Sequence, residues 1–237
     1  DIQIVGMPVV ALADHAISRL EFLVRLAPGE APFSHHLLAD RAGPLHQADL
    51  VMAECALAYI AATTGQKELR VGIDVAASSL LREDVMSRLT ELLSTTHGDM
   101  TRLVVELNFH TDVIDLAGLS NAISALARFG VGVALDEFGT SPAPINHLRA
   151  LQLDEIKLSG QWIRACGRSP CDAALVEAIV GFAAARDMAT TAMTVDSLAQ
   201  AQGLAARGLV NGQGAAFGHP VPIDATKLSM AMAAAGE

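Results

Sequence analysis

Apolar runs rich in β-branched residues recur along the chain, and nearly every one is followed by an Ala- and Leu-rich stretch with helical spacing. That order is satisfied by a parallel sheet covered with helices. Strands are expected at residues 2–12, 19–26, 69–74, 103–107, 131–136, 154–158, 188–193 and 208–213, a set that fits a closed barrel. Residues 13–18 are too few for a crossover helix, so the first two strands should run antiparallel. The expected fold class is α/β, an altered (β/α)8 TIM barrel with its first strand reversed. Helices are expected at residues 47–63, 82–94, 116–129, 172–186 and 197–207, where apolar residues fall three and four apart. No Pro/Gly/Ser-rich linker divides the chain, so residues 1–237 read as one domain. A start at Asp1, without Met or signal peptide, reads as a fragment of a longer protein.

Composition narrows the partners. Lys and Arg number 16 against 26 Asp and Glu, a net charge of −10, and no basic run could neutralise a nucleic-acid polymer. Hydrophobic residues make up 51% and mean hydropathy is +0.38. Even so, charges, Gly or Pro break every apolar stretch short of the roughly 18–20 residues a span requires, so no membrane contact is expected. Three Cys without a CxxC pair favour a reducing compartment, and the domain is expected in the cytoplasm.

In barrels of this kind the chemistry sits at the C-terminal ends of the strands. Those ends supply Glu21 or Arg25, then Asp74, Glu106, Asp136 with Glu137, Lys157 and Gln213. One such acid alone would serve to cap a helix or face water. Acids closing successive strands are what a hard divalent cation needs.

These residues carry a resemblance. Met7-Pro8-Val9-Val10 followed by Glu21-Phe22-Leu23-Val24-Arg25 resembles the opening of EAL domains, the bacterial cyclic di-GMP phosphodiesterase family, which has Gln-Pro and then Glu-Ala-Leu-x-Arg. In the same order, Gly72-Ile73-Asp74-Val75 resembles Val-Asn-Leu-Ser, and Glu106-Leu107-Asn108-Phe109 resembles Glu-x-Thr-Glu. Ala134-Leu135-Asp136-Glu137-Phe138-Gly139-Thr140 resembles the segment containing Asp-Asp-Phe-Gly-Thr-Gly, and Asp154-Glu155-Ile156-Lys157 resembles Asp-x-Ile-Lys. Gln213-Gly214 with Pro220 matches the closing Gln-Gly-Tyr and Pro.

The resemblance implies the same altered barrel and a site using two divalent cations that bridge a phosphodiester oxygen and an attacking water. It assigns Glu21, Asp74, Glu106 and Asp136 to one metal site, with Asp74 standing for an Asn. At most one Mg²⁺ or Mn²⁺ is expected, and none is required for binding. The implied ligand-binding set is Met7, Glu21, Leu23, Arg25, Asp74, Asp136, Lys157, Asp196 and Gln213. Arg25 would meet a phosphate, while Met7 replaces a Gln that meets guanine.

Catalysis is expected to be lost. The family's Glu-Gly-Val-Glu appears as Met193-Thr194-Val195-Asp196, so a second-metal ligand has become a thioether, a poor donor to Mg²⁺ or Mn²⁺. A Glu that anchors the loop after the fifth strand has become Phe109, and that loop reads Ser141-Pro142-Ala143-Pro144 in place of Gly-Tyr-Ser-Ser. Lys157 and Glu137 would then be vestiges of catalytic machinery. The expected function is a catalytically silent cyclic di-GMP receptor that controls a protein partner, similar to receptor-type members such as the flagellar TipF kind, within a membrane- or pole-associated parent. The alternatives are a slow metal-dependent phosphodiesterase and an interaction module that binds no nucleotide. A homodimer through the region near the fifth and sixth strands is a further implication.

Other signals carry less. Gly130-x-Gly132 reads as a turn, the His35-His36 pair as solvated surface, and Cys166 with Cys171 as free thiols around a turn.

Overall fold

The computed structural model describes residues 3–26, 31–34, 45–63, 69–109, 115–140 and 145–223. It opens with an antiparallel hairpin of β1 (Gln3–Ala11) and β2 (Ile17–Arg25). From β2 onward the neighbouring strands run parallel: β3 (Arg70–Ala76), β4 (Leu103–Asn108), β5 (Gly132–Phe138), β6 (Glu155–Leu158), β7 (Ala189–Ala192) and β8 (Asn211–Gln213). β1 closes the barrel by pairing antiparallel with both β2 and β8, and a short β9 (Val221–Pro222) adds to β1 at Val5 and Gly6. This is the altered barrel expected from the short connection after β1.

The long helices lie between strands as the apolar spacing requires. They are α1 (Leu45–Ala62), α3 (Glu83–Thr95), α4 (Leu116–Ala127), α7 (Pro170–Ala184) and α8 (Leu198–Ala205). Three short ones, α2 (Ala77–Leu80), α5 (Ile145–Ala150) and α6 (Gly160–Cys166), were not foreseen, because four to seven residues leave no periodicity to read. The 35–36 and 141–144 segments lie outside the described residues. Cys166 ends α6 buried and Cys171 opens α7 exposed, both as free thiols.

Three strand starts need correction for one shared reason. Val131, Met188 and Leu209 read as strand residues, yet their N–H groups donate back to Leu126, Ala183 and Leu204 of the preceding helices. Each follows a residue in the left-handed region, Gly130 at φ +82°, Asp187 at +56° and Gly208 at +89°. This is the hydrogen-bonding pattern of a Schellman cap, in which the apolar residue after the left-handed one packs on the helix it has just left. At their other ends β3 and β5 run two residues further than expected, to Ala76 and Phe138.

Strand alternation sets the layers. On β2, Leu20, Phe22 and Val24 are buried in the apolar core, and on β3 Val71, Ile73 and Val75 join them. The same core contains Met52, Leu57 and Ile60 of α1 and Leu119, Ile123 and Leu126 of α4. The intervening positions, Arg19, Glu21, Gly72 and Asp74, face the barrel interior, as do Glu106, Asp136, Glu155, Lys157, Thr191 and Gln213. The interior of this barrel is therefore polar and charged where branched apolar residues are usual.

Candidate functional site

Three acids converge inside the barrel. Glu21, Asp74 and Glu106 each offer a carboxylate oxygen, and these atoms all lie within 4.8 Å of one another. Lys157, fully buried, places its Nζ 2.9 Å from Glu21 Oε2 and 2.9 Å from Asp136 Oδ1, and in still closer contact with Glu106 Oε2. Gln213 Nε2 donates to Glu21 Oε2 at 2.6 Å, which ties β8 to β2 across the strand between them.

The electrostatics follow from burial and neighbours. Burial opposes the charged form of Lys157, but Asp136, Glu106 and Glu21 outweigh it and hold the ammonium well above its ordinary range. Burial also raises Glu21, yet Lys157 and the Gln213 amide overcome it and keep that carboxyl low. For Asp74 the balance goes the other way: burial, then Asp136 and Glu21, push it well above the usual carboxylate range, with Lys157 pulling against them. Burial pushes Glu106 up to about 7, with Lys157 and Arg19 pulling against it.

Asp74 Oδ1 is buried without a hydrogen-bond partner among the described residues. An oxygen-only donor set around an unsatisfied carboxylate fits a hard divalent cation. Of the four acids expected to share a metal, Glu21, Asp74 and Glu106 meet within 4.8 Å, and Asp136 joins Glu21 and Glu106 around Lys157.

The remaining expected site residues spread around the barrel mouth. Met7 lies directly across from Glu21 on β1 and is partly buried, as are Leu23 and Arg25 toward the end of β2. Arg25 Nε is buried without a hydrogen-bond partner among the described residues. Glu137 is exposed, with its backbone at φ +48° where the pairing of β5 with β6 shifts register. Met193 lies one residue beyond β7, half-buried, its N–H donating to Leu158 O at 3.1 Å. Asp196 is exposed just before α8, its N–H donating to Gln200 Oε1.

Sequence reading missed the lower tier of the site. Arg19 Nε lies 3.1 Å from Glu106 Oε1, and the guanidinium forks onto Glu155 through NH1 at 2.5 Å and NH2 at 3.0 Å. Thr191 donates to the same Glu155 carboxylate. Alternation was the available signal, since Arg19 lies two residues before Glu21 and Glu155 two before Lys157. Gly72 makes the space: a Cβ there would collide with Glu106 Oε1 and stand 3.2 Å from Arg19 Cδ.

Glu155 supports a pH test. Burial would raise its carboxyl, but Arg19 and Thr191 outweigh it and depress it to about 2 from an ordinary 4.5. A depressed acid contributes stability that is present above its unfolded value and lost as pH falls through the folded one. The stability cost of Glu155→Gln should therefore be greatest above about pH 4.5 and shrink toward pH 2, as denaturant titrations of both proteins across that range would show. A cost that does not vary with pH would mean the carboxylate charge contributes nothing.

Comparison with known proteins agrees with this fold. The EAL domain family model matches residues 7–220. The chain is 27% identical over 227 residues to the cyclic di-GMP phosphodiesterase NbdA of Pseudomonas aeruginosa, covering 92% of this chain and 29% of that one. It is 26% identical over 176 residues to the probable cyclic di-GMP phosphodiesterase PdeA of Escherichia coli K12, covering 74% of this chain and 24% of that one. It thus spans about a quarter of the length of such curated relatives. Among solved structures, the PaMucR phosphodiesterase in complex with c-di-GMP superposes with a TM-score of 0.81 at 21% identity, covering 95% and 94% of the two chains. The manganese/cy-diGMP complex of Klebsiella pneumoniae BlrP1 gives 0.79 at 23%, covering 93% of this chain and 56% of that one. No helix among the described residues is long and apolar enough to cross a membrane. With its reversed first strand, its charged interior and a family match across most of its length, the chain belongs to the EAL domain family.

Proposed function

We propose that this EAL domain is a cyclic di-GMP receptor without useful hydrolytic activity, working in the cytoplasm and passing the nucleotide level to a protein partner. The observation that carries the reading is the asymmetry of the barrel mouth. On one side Glu21, Asp74 and Glu106 would hold a single divalent ion, which when bound would polarise a phosphoryl oxygen. On the other, the end of β7 offers the thioether of Met193 where the family's second metal takes a carboxylate.

Binding relies on different groups. Arg25, whose buried Nε has no hydrogen-bond partner among the described residues, gives a phosphate a charge-assisted donor in a domain of net charge −10. Met7 across from Glu21 would pack against a purine face. Lys157 is committed to three carboxylates, so it stabilises the acid cluster and Arg25 carries the phosphate contact.

Calorimetric titration with cyclic di-GMP in Mg²⁺, in Mn²⁺ and in excess EDTA tests the reading, with chromatography of the nucleotide afterwards. Saturable binding in all three and an intact ligand after hours are expected. Arg25→Ala should weaken binding by about 1.5–3 kcal/mol without unfolding the domain. Turnover of about 0.1–10 per second would overturn the receptor reading in favour of a phosphodiesterase. Absence of binding would leave an interaction module.

A further inference from the structure

Arg19 reaches the barrel interior by strand alternation, and its position there is more specific than a structural ion pair needs. Arg19 is 2% exposed and its guanidinium stands between two acids: NH1 and NH2 fork onto Glu155, while Nε faces Glu106 Oε1 at 3.1 Å as an ion-pair contact without a hydrogen bond. The other oxygen of Glu106 meets Lys157. One of the three acids that suit a divalent ion is therefore held by two resident cations. Gly72 is part of the same device, because any side chain there would occupy the slot where Glu106 and Arg19 meet.

The charge balance makes the arrangement consequential. The interior tiers hold the acids Glu21, Asp74, Glu106, Asp136 and Glu155 against the buried cations Arg19 and Lys157, with Arg70 at the foot of β3 close enough to act on Arg19, Glu155 and Glu106. Acids packed this closely repel one another, and in a site built to depend on metal an incoming cation relieves that repulsion. We propose that Arg19 is a positioning residue for the acid cluster: it holds Glu106 in place without an ion, takes over part of the neutralisation a divalent ion would supply, and keeps metal affinity low. The rigid guanidinium suits this role because its fork anchors it on Glu155 and so keeps its Nε edge against Glu106, a placement a flexible ammonium would not hold. The proposal rests on the fit of Glu21, Asp74 and Glu106 to a cation, and is independent of nucleotide binding and of catalysis.

The test uses Mn²⁺ alone, thermal unfolding in excess EDTA and in saturating Mn²⁺, and calorimetry of Mn²⁺ binding. The wild-type domain should gain no more than about 3 °C in Tm from Mn²⁺. Arg19→Gln should lose stability chiefly in EDTA, gain about 8 °C or more from Mn²⁺, and bind Mn²⁺ about tenfold more tightly. The double variant Arg19→Gln/Glu155→Gln removes the ion pair without stranding Glu155, and should show the same new metal dependence with a smaller loss in EDTA. Equal losses with and without Mn²⁺ at unchanged affinity would make Arg19 a simple strut and overturn the proposal. So would variants that fold in neither condition, since Mn²⁺ should replace the missing charge. Failure of cyclic di-GMP to bind would leave this result untouched.

Discussion

Lys157→Met is expected to lower stability by about 3–5 kcal/mol, the usual consequence of removing one partner from a buried ion cluster. The substitution keeps length and apolar bulk, so the loss reports charge rather than a cavity. It leaves Glu21, Glu106 and Asp136 facing one another in a fully buried site with Arg19 as their nearest cation. In a domain of this size the same loss lowers Tm by about 6–20 °C. Equilibrium unfolding in urea at neutral pH measures it. Lowering the pH should recover part of the difference, because protonating those carboxylates removes the repulsion that Lys157 otherwise balances. A loss below about 1 kcal/mol would mean that the acids shed their charge together and that Lys157 is not the counter-ion assigned here.

The fold was legible because the two sides of each strand obey different rules. On β2 and β3 apolar residues alternate with Arg19, Glu21, Gly72 and Asp74, so the sequence separates the helix-facing side from the interior. The reversed first strand followed from residues 13–18, too short to carry a helix. The starts of β5, β7 and β8 were misread because Val131, Met188 and Leu209 have the composition of strand residues while serving as helix caps, a distinction made by the backbone of the residue before each. The acids at strand ends were legible for the same reason as the strands. How they pair was not: Arg19 and Glu155 lie 136 residues apart, and the division of Lys157 among Glu21, Glu106 and Asp136 depends on how the tiers of the closed barrel line up. Position along a strand therefore brings an acid to the cluster without saying which of its neighbours it pairs with, since Lys157 meets Glu21, Glu106 and Asp136 alike.

Phe109→Glu is expected to lower stability by about 3 kcal/mol or more, combining the loss of a large aromatic side chain with burial of a carboxylate that only the His147 imidazole is placed to meet among the described residues. Phe109 lies one residue past β4 at 2% exposure, its ring centroid 5.1 Å from that of His147 on α5. The apolar residue thus holds a helix of the region after β5, where the EAL resemblance would place a carboxylate anchoring a loop. A carboxylate at this position would have to find its partners around the buried His147. Met193 contrasts with it: half-buried beyond β7, it should accept Met193→Glu with a change of less than about 1 kcal/mol. Urea unfolding of the two single variants separates the cases. If the order holds, the carboxylate that the EAL resemblance puts at 193 can be introduced at little cost while the one it puts at 109 cannot, and on the receptor reading proposed above hydrolysis by Met193→Glu should stay well below the turnover of ordinary enzymes. A Phe109→Glu protein as stable as wild type would show that the pocket still accepts a carboxylate. The pair Phe109→Glu/Met193→Glu would then become the direct test of whether these two positions silence the barrel.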